Sequence, residues 1–156
     1  PIGQGLWRMH QEGVVHLDVK PANVLLRTSG QPLLLDFGAA QTMDNDNRFG
    51  SFQTLTHGFA PPEQYLDGNL GPWTDIYGLA ATIYNCITGH SPPPALKRRD
   101  GASLEKLTVS RSGAYPYTLL KVVEDALSLD QGQRPHDMHA FLSLAFGASS
   151  HTPVKA

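Results

Sequence analysis

His16-Leu17-Asp18-Val19-Lys20-Pro21-Ala22-Asn23-Val24-Leu25-Leu26 decides how this chain is read. Val14-Val15 precedes the stretch and Val24-Leu25-Leu26 closes it, marking two short β-prone runs. The connection between them is stiffened by Pro21 and carries His16, Asp18, Lys20 and Asn23. Folding alone gives little reason to crowd polar side chains between two apolar runs. Further on, the strand-like Leu33-Leu34-Leu35 leads into Asp36-Phe37-Gly38. Loops at the ends of neighbouring strands would then offer Asp18, Lys20, Asn23 and Asp36 to one point. Such a set can hold a metal-bound phosphate beside a hydroxyl nucleophile.

The stretch resembles the catalytic loop of the protein kinases, and Asp36-Phe37-Gly38 resembles their magnesium-binding triplet. His16, Asp18, Lys20, Pro21 and Asn23 match the loop pattern, whereas Leu17 stands where most members carry Arg. The Lys20-Pro21-x-Asn23 spelling is that of the serine/threonine branch. Thr56 to Glu63 resembles the peptide-positioning segment Gly-Thr-x-x-Tyr-x-Ala-Pro-Glu, with Leu55, Phe59 and Pro61 departing from it. Pro61-Pro62-Glu63 followed by Gln64-Tyr65 is similar to bacterial members. The resemblance implies an α+β, mainly α-helical fold: a kinase-like large lobe with short β-hairpins around the catalytic loop. It implies a kinase domain over residues 1–146 and a polar tail or linker over 147–156.

The bulk composition is compatible. The 156 residues are 40% hydrophobic and 17% charged with a formal net charge of −2, enough for one core and no basic surplus for nucleic acid or anionic membranes. A lone Cys86 excludes an internal disulfide and fits a reducing compartment. Neither a signal-peptide pattern nor a long uncharged apolar run is present, so a cytoplasmic location is expected, with membrane tethering left to segments outside the sequence.

Along the chain, Ile2, Leu6, Trp7 and Met9 have rough helical spacing that ends at Gly13, and His10 is read as a packing residue. Gln31 to Leu35 is read as a strand after the Thr28-Ser29-Gly30 turn. Ala39 to Ala60 is polar, irregular and long enough to be functional. The helix opened by Gly71-Pro72-Trp73-Thr74-Asp75 and ended by Thr88-Gly89-His90 is apolar on most faces from Trp73 to Ile87, which predicts that it is buried, with Thr74 or a neighbour as its cap. Lys97-Arg98-Arg99 is read as a solvated surface, Ser103 to Leu107 as a weak helix, Tyr117 to Leu129 as an amphipathic helix and Met138 to Phe146 as the last one.

What the resemblance implies for chemistry is specific. Asp18 would accept or orient the substrate hydroxyl proton, and Lys20 would offset charge on the transferred phosphoryl group. Asn23 and Asp36 would ligate Mg²⁺, Leu25 would lie under the adenine of ATP, and Thr56 would hydrogen-bond Asp18 or Lys20. His16 and Phe37 would pack together, Asp75 would accept from the catalytic-loop backbone, and Glu63 would pair with Arg134. The expected partners are ATP and a protein bearing a Ser/Thr acceptor, with no nucleic acid. The Gly-rich cover and strand Lys of a small lobe are absent, so that lobe is expected from the same full-length chain, and residues 1–156 alone are expected to be inactive or nearly so.

Two other readings compete. A small-molecule phosphotransferase of the aminoglycoside or choline kinase type also uses a His-x-Asp loop, but generally lacks the Lys-Pro pair, the Asp-Phe-Gly spelling and the closing Pro-Glu. A pseudokinase or ATP-binding regulatory scaffold would bind partners without transfer, against which stand Asp18, Lys20, Asn23 and Asp36. Leu17 adds a prediction about control, since an apolar side chain cannot grip a phosphate as Arg does. Phosphorylation of Thr42, Ser51 or Thr54 is expected to be unnecessary for ordering the loop through residue 17. A large activity gain on phosphorylating the full-length protein, abolished by substituting Leu17, would contradict this.

Overall fold

A computed structural model describes residues 1–43, 55–66 and 68–147. Ser51, Thr54 and the tail beyond Gly147 therefore lie outside the described residues. The chain runs α1 (Ile2–Gln11), β1 (Val14–Val15), a 3₁₀ turn (Pro21–Asn23), β2 (Val24–Leu26), β3 (Pro32–Leu34) and β4 (Gln41–Thr42). It continues through α2 (Pro62–Tyr65), α3 (Pro72–Thr88), α4 (Ala95–Arg99), α5 (Leu107–Ser110), α6 (Tyr117–Ala126) and α7 (Met138–Phe146). The fold is α+β and mainly helical, as the sequence implies. No helix among the described residues is long and apolar enough to cross a membrane.

The core forms around α3, which packs against α1, α6 and α7. Ile76, Tyr77, Ala80 and Ala81 of α3 are fully buried, and Leu6, Leu120, Val123 and Met138 meet them from the surrounding helices. The helix is punctuated by local chemistry. Pro72 occupies the first turn, and Thr74 Oγ1 accepts from the Gly71 N–H at 3.3 Å. At the other end Gly89 takes φ 84° and donates to the Asn85 carbonyl, a left-handed cap that favours glycine.

Two small antiparallel ladders flank the loop of residues 16–23. β2 pairs with β3, Leu25 opposite Leu33. β1 pairs with β4, Val15 opposite Gln41, so a polar stretch read as irregular begins with a short strand. The Met43 N–H extends that ladder by donating to the Gly13 carbonyl at 2.7 Å.

Three local expectations need correction. Arg98 is no mere solvated charge: its Nη1 donates to the Leu127 carbonyl at 2.7 Å and contacts the Tyr77 hydroxyl at 3.4 Å. The weak helix sits at Leu107–Ser110 instead of Ser103–Leu107, because the Glu124 carboxylate accepts from the Thr108 N–H at 2.7 Å and so caps its first turn. Helix α6 stops at Ala126, short of Leu129. Its continuation is diverted because Arg98 takes the Leu127 carbonyl and Arg134 takes those of Ser128 and Leu129.

Arg134 also makes a buried, bidentate ion pair with a residue far along the chain. Its guanidinium donates to both Glu63 oxygens, at 2.7 and 3.0 Å, with both side chains buried. Losing one partner would strand the other's charge in a dry site. Arg134→Met is expected to destabilise the fold by about 3–5 kcal/mol, and Glu63→Leu added to it to recover part of that loss. Urea denaturation of the single and double variants checks both outcomes.

Candidate active site

The loop of residues 16–23 rests on α3 at two points. Asp75, 1% exposed in the first turn of α3, accepts from the His16 N–H through Oδ2 and from the Leu17 N–H through Oδ1, both at 2.8 Å. Gly78 then allows the loop to lie flat on the helix: a Cβ there would stand 3.0 Å from the Val19 carbonyl oxygen. His10 completes the anchor, with Nε2 2.8 Å from Asp75 Oδ2. Its reading as a packing residue is therefore incomplete. A buried carboxylate requires partners, and His10 is one.

On this base the polar side chains converge. Lys20 Nζ lies 2.9 Å from Asp18 Oδ2 and donates to Thr56 Oγ1 at 2.9 Å. Thr56 in turn donates to Asp18 Oδ1 at 3.4 Å. Asn23, buried, donates from Nδ2 to the Asp18 carbonyl and to Oδ2, both at 2.9 Å. Both partners are acceptors, so the amide nitrogen faces Asp18 and the amide oxygen occupies the other edge of the group. Asp18, Asp36 and Thr56 line one cavity of about 250 Å³ together with Leu17, Leu55, Phe59 and Gln64.

Asp36 sits in the left-handed region at φ 61°, and its Oδ1 accepts from the Gly38 N–H at 3.1 Å. A Cβ at residue 38 would stand 3.1 Å from that oxygen, tighter than ordinary contact. The His16 and Phe37 rings meet edge-on with centroids 5.2 Å apart, and His16 Nε2 contacts the Leu35 carbonyl at 3.3 Å. Leu17 also has a positive φ, 66°, although its side chain is 6% exposed. For a leucine this conformation costs on the order of 1–3 kcal/mol and persists only where surrounding bonds hold it.

Leu25 is not drawn into the cavity. It lies on the β2–β3 hairpin at 48% exposure, among exposed Leu26, Leu33, Leu35 and Phe37. In the core, burial pushes the Tyr77 phenol above the ordinary tyrosine range while Arg98 and Arg134 pull the other way. The Arg134 guanidinium lies 5.0 Å above that ring. No cluster of three or more His, Cys, Asp or Glu side chains forms a metal cage among the described residues. A hard ion that keeps its waters and takes phosphate oxygens needs no such cage, and the donor set of Asn23 and Asp36 fits Mg²⁺.

Comparison with known proteins accords with this geometry. The protein kinase domain family model matches residues 1–144. The chain belongs to the protein kinase family. It is 37% identical over 93 residues to serine/threonine-protein kinase PknL of Mycobacterium tuberculosis (strain ATCC 25618 / H37Rv), covering 59% of this chain and 23% of that protein. It is 32% identical over 141 residues to serine/threonine-protein kinase PknK of the same strain, covering 81% of this chain and 12% of that one. The solved structure described as PpkA-294 apo form matches with TM-score 0.79 and 34% identity, over 93% of this chain and 51% of its own. The kinase chain thus spans well under two thirds of these relatives.

Sequence reasoning missed two polar contacts of this kinase loop. His10 was read as packing, and Gln64 served only as a marker of bacterial likeness, yet its Nε2 donates to the Leu17 carbonyl at 2.8 Å. Neither pairing leaves a local pattern, since the partners lie 65 and 47 positions apart.

Proposed function

We propose that this chain supplies the catalytic floor of a serine/threonine protein kinase, which moves the γ-phosphoryl group of ATP to a protein hydroxyl. The observation that carries the reading is the convergence of Lys20, Asn23 and Thr56 on the Asp18 carboxylate, with Asp36 on the same cavity wall. Asp18 accepts or orients the proton of the substrate hydroxyl. The Lys20 ammonium, held between Asp18 and Thr56, balances negative charge on the phosphoryl group as it moves. Thr56 fixes both neighbours and lies on the segment that receives the acceptor peptide.

Asn23 and Asp36 are the residues that would hold Mg²⁺, which when bound neutralises phosphate charge and orients the oxygens. Leu25 would lie against the adenine ring. Leu25 and Leu33, paired across the hairpin and both exposed, supply apolar surface that supports a further covering element there, and a kinase small lobe is the one we assign. Without that cover the floor has alignment on one side of the nucleotide only.

The test compares the full-length kinase with residues 1–156, each given Mg·ATP and a Ser/Thr-containing protein. The full-length protein is expected to transfer phosphate, to lose transfer on chelation of Mg²⁺, and to lose about 10²–10⁴-fold in kcat on Asp18→Asn. Residues 1–156 alone are expected to show little or none. Transfer by the full-length protein that is indifferent to Asp18→Asn would overturn the proposal, as would nucleotide binding with no transfer at all.

A further inference from the structure

Gln64 follows Pro61-Pro62-Glu63 and has no part in the transfer step or in the Glu63–Arg134 pair. It is 8% exposed and reaches across to the catalytic loop, its Nε2 donating to the Leu17 carbonyl at 2.8 Å. That carbonyl belongs to the peptide group joining Leu17 to Asp18. The N–H end of the same peptide faces His16 Nδ1 at 3.3 Å. One residue earlier, the Leu17 N–H is fixed by Asp75 Oδ1. Freeing the 17–18 peptide would loosen the backbone that presents Asp18 to Lys20, Asn23 and Thr56. The Asp75 bond to the Leu17 N–H bears on φ of Leu17 and the Gln64 bond to its carbonyl bears on ψ, so the left-handed leucine, at φ 66°, is held from both sides.

We infer that Gln64 is a positioning residue for Asp18, holding the Leu17–Asp18 peptide in the orientation that the left-handed Leu17 requires. The inference rests on the kinase reading of Asp18. Gln64 also adjoins Glu63, whose carboxylate is locked to Arg134, so its amide arrives at Leu17 only when α2 is docked. Alignment of the catalytic carboxylate thereby depends on docking of the acceptor-side segment. This coupling runs through a backbone carbonyl, and it needs no charged side chain at residue 17.

Gln64→Met in the full-length kinase keeps the size of the side chain and removes the donor. It is expected to lower kcat about 10- to 100-fold while the KM for ATP stays within about twofold, the pattern of lost alignment instead of lost binding. Adding Leu17→Asn, which takes the left-handed region more readily than leucine, is expected to restore a large part of kcat. A loss that only tracks the melting temperature, with no recovery on Leu17→Asn, would show a purely structural bond and overturn the inference. So would an unchanged kcat where Asp18→Asn is inactive. Amide exchange over residues 16–23 supplies a readout independent of transfer: Gln64→Met is expected to accelerate it. If the wild-type protein transfers no phosphate the kinase reading fails, and unchanged exchange in Gln64→Met then sinks the positioning role separately.

Discussion

One buried carboxylate carries the catalytic loop. Asp75 enters the first turn of the most buried helix and accepts from two successive loop amides and from His10. Each contact solves a problem for another element. The loop amides have no strand partners there, and Asp75 would be costly to bury without donors. The two loop amides bond its two oxygens separately, so the His16–Leu17 backbone is fixed in orientation as well as place. The positive φ at Leu17 follows from holding the chain so tightly between β1 and the 3₁₀ turn.

A second constraint comes from the far end of the chain. Arg134 reaches Glu63 across 71 positions, and its remaining donors take carbonyls from the turn after α6 and from Trp73. Helix α2 is therefore fastened to the C-terminal helices, and through Thr74, which donates to Glu63 Oε1 at 3.2 Å, to the start of α3. Thr56 and Gln64 lie on either side of that fastening, and each touches the catalytic loop. The site is thus made where two ends of the fold, separately secured, meet over α3. The apolar hairpin surface at Leu25 and Leu33 lies outside this meeting point.

Much of this was legible in the sequence where chemistry is written contiguously. His16 to Asn23 and Asp36 to Gly38 carry their meaning in a few adjacent residues, and α3 declares its burial by being apolar on most faces. The Glu63–Arg134 pair was legible only through family resemblance, because nothing local links those residues. His10 with Asp75, Gln64 with Leu17 and Arg98 with Leu127 were not legible. Composition says that a polar residue is present, but only the packed fold decides which buried group it meets. Strand β4 was missed for a related reason: Gln41 and Thr42 are too short a run to announce a strand, and they form one by pairing with Val15 and Val14.

Asp75 holds the backbone of His16 and Leu17 in place through its two carboxylate oxygens. Amide hydrogen exchange of the full-length kinase, resolved at His16 and Leu17, tests it most directly in Asp75→Asn. An amide side chain accepts at one edge only, so the other edge would turn an N–H₂ toward a donor. A hydrogen bond to a carboxylate contributes about 1.5–3 kcal/mol, so exchange at these two amides is expected to rise about 10- to 100-fold while the helices α6 and α7 keep their protection. Unchanged protection at His16 and Leu17, or a rise no larger than in α6 and α7, would contradict the account.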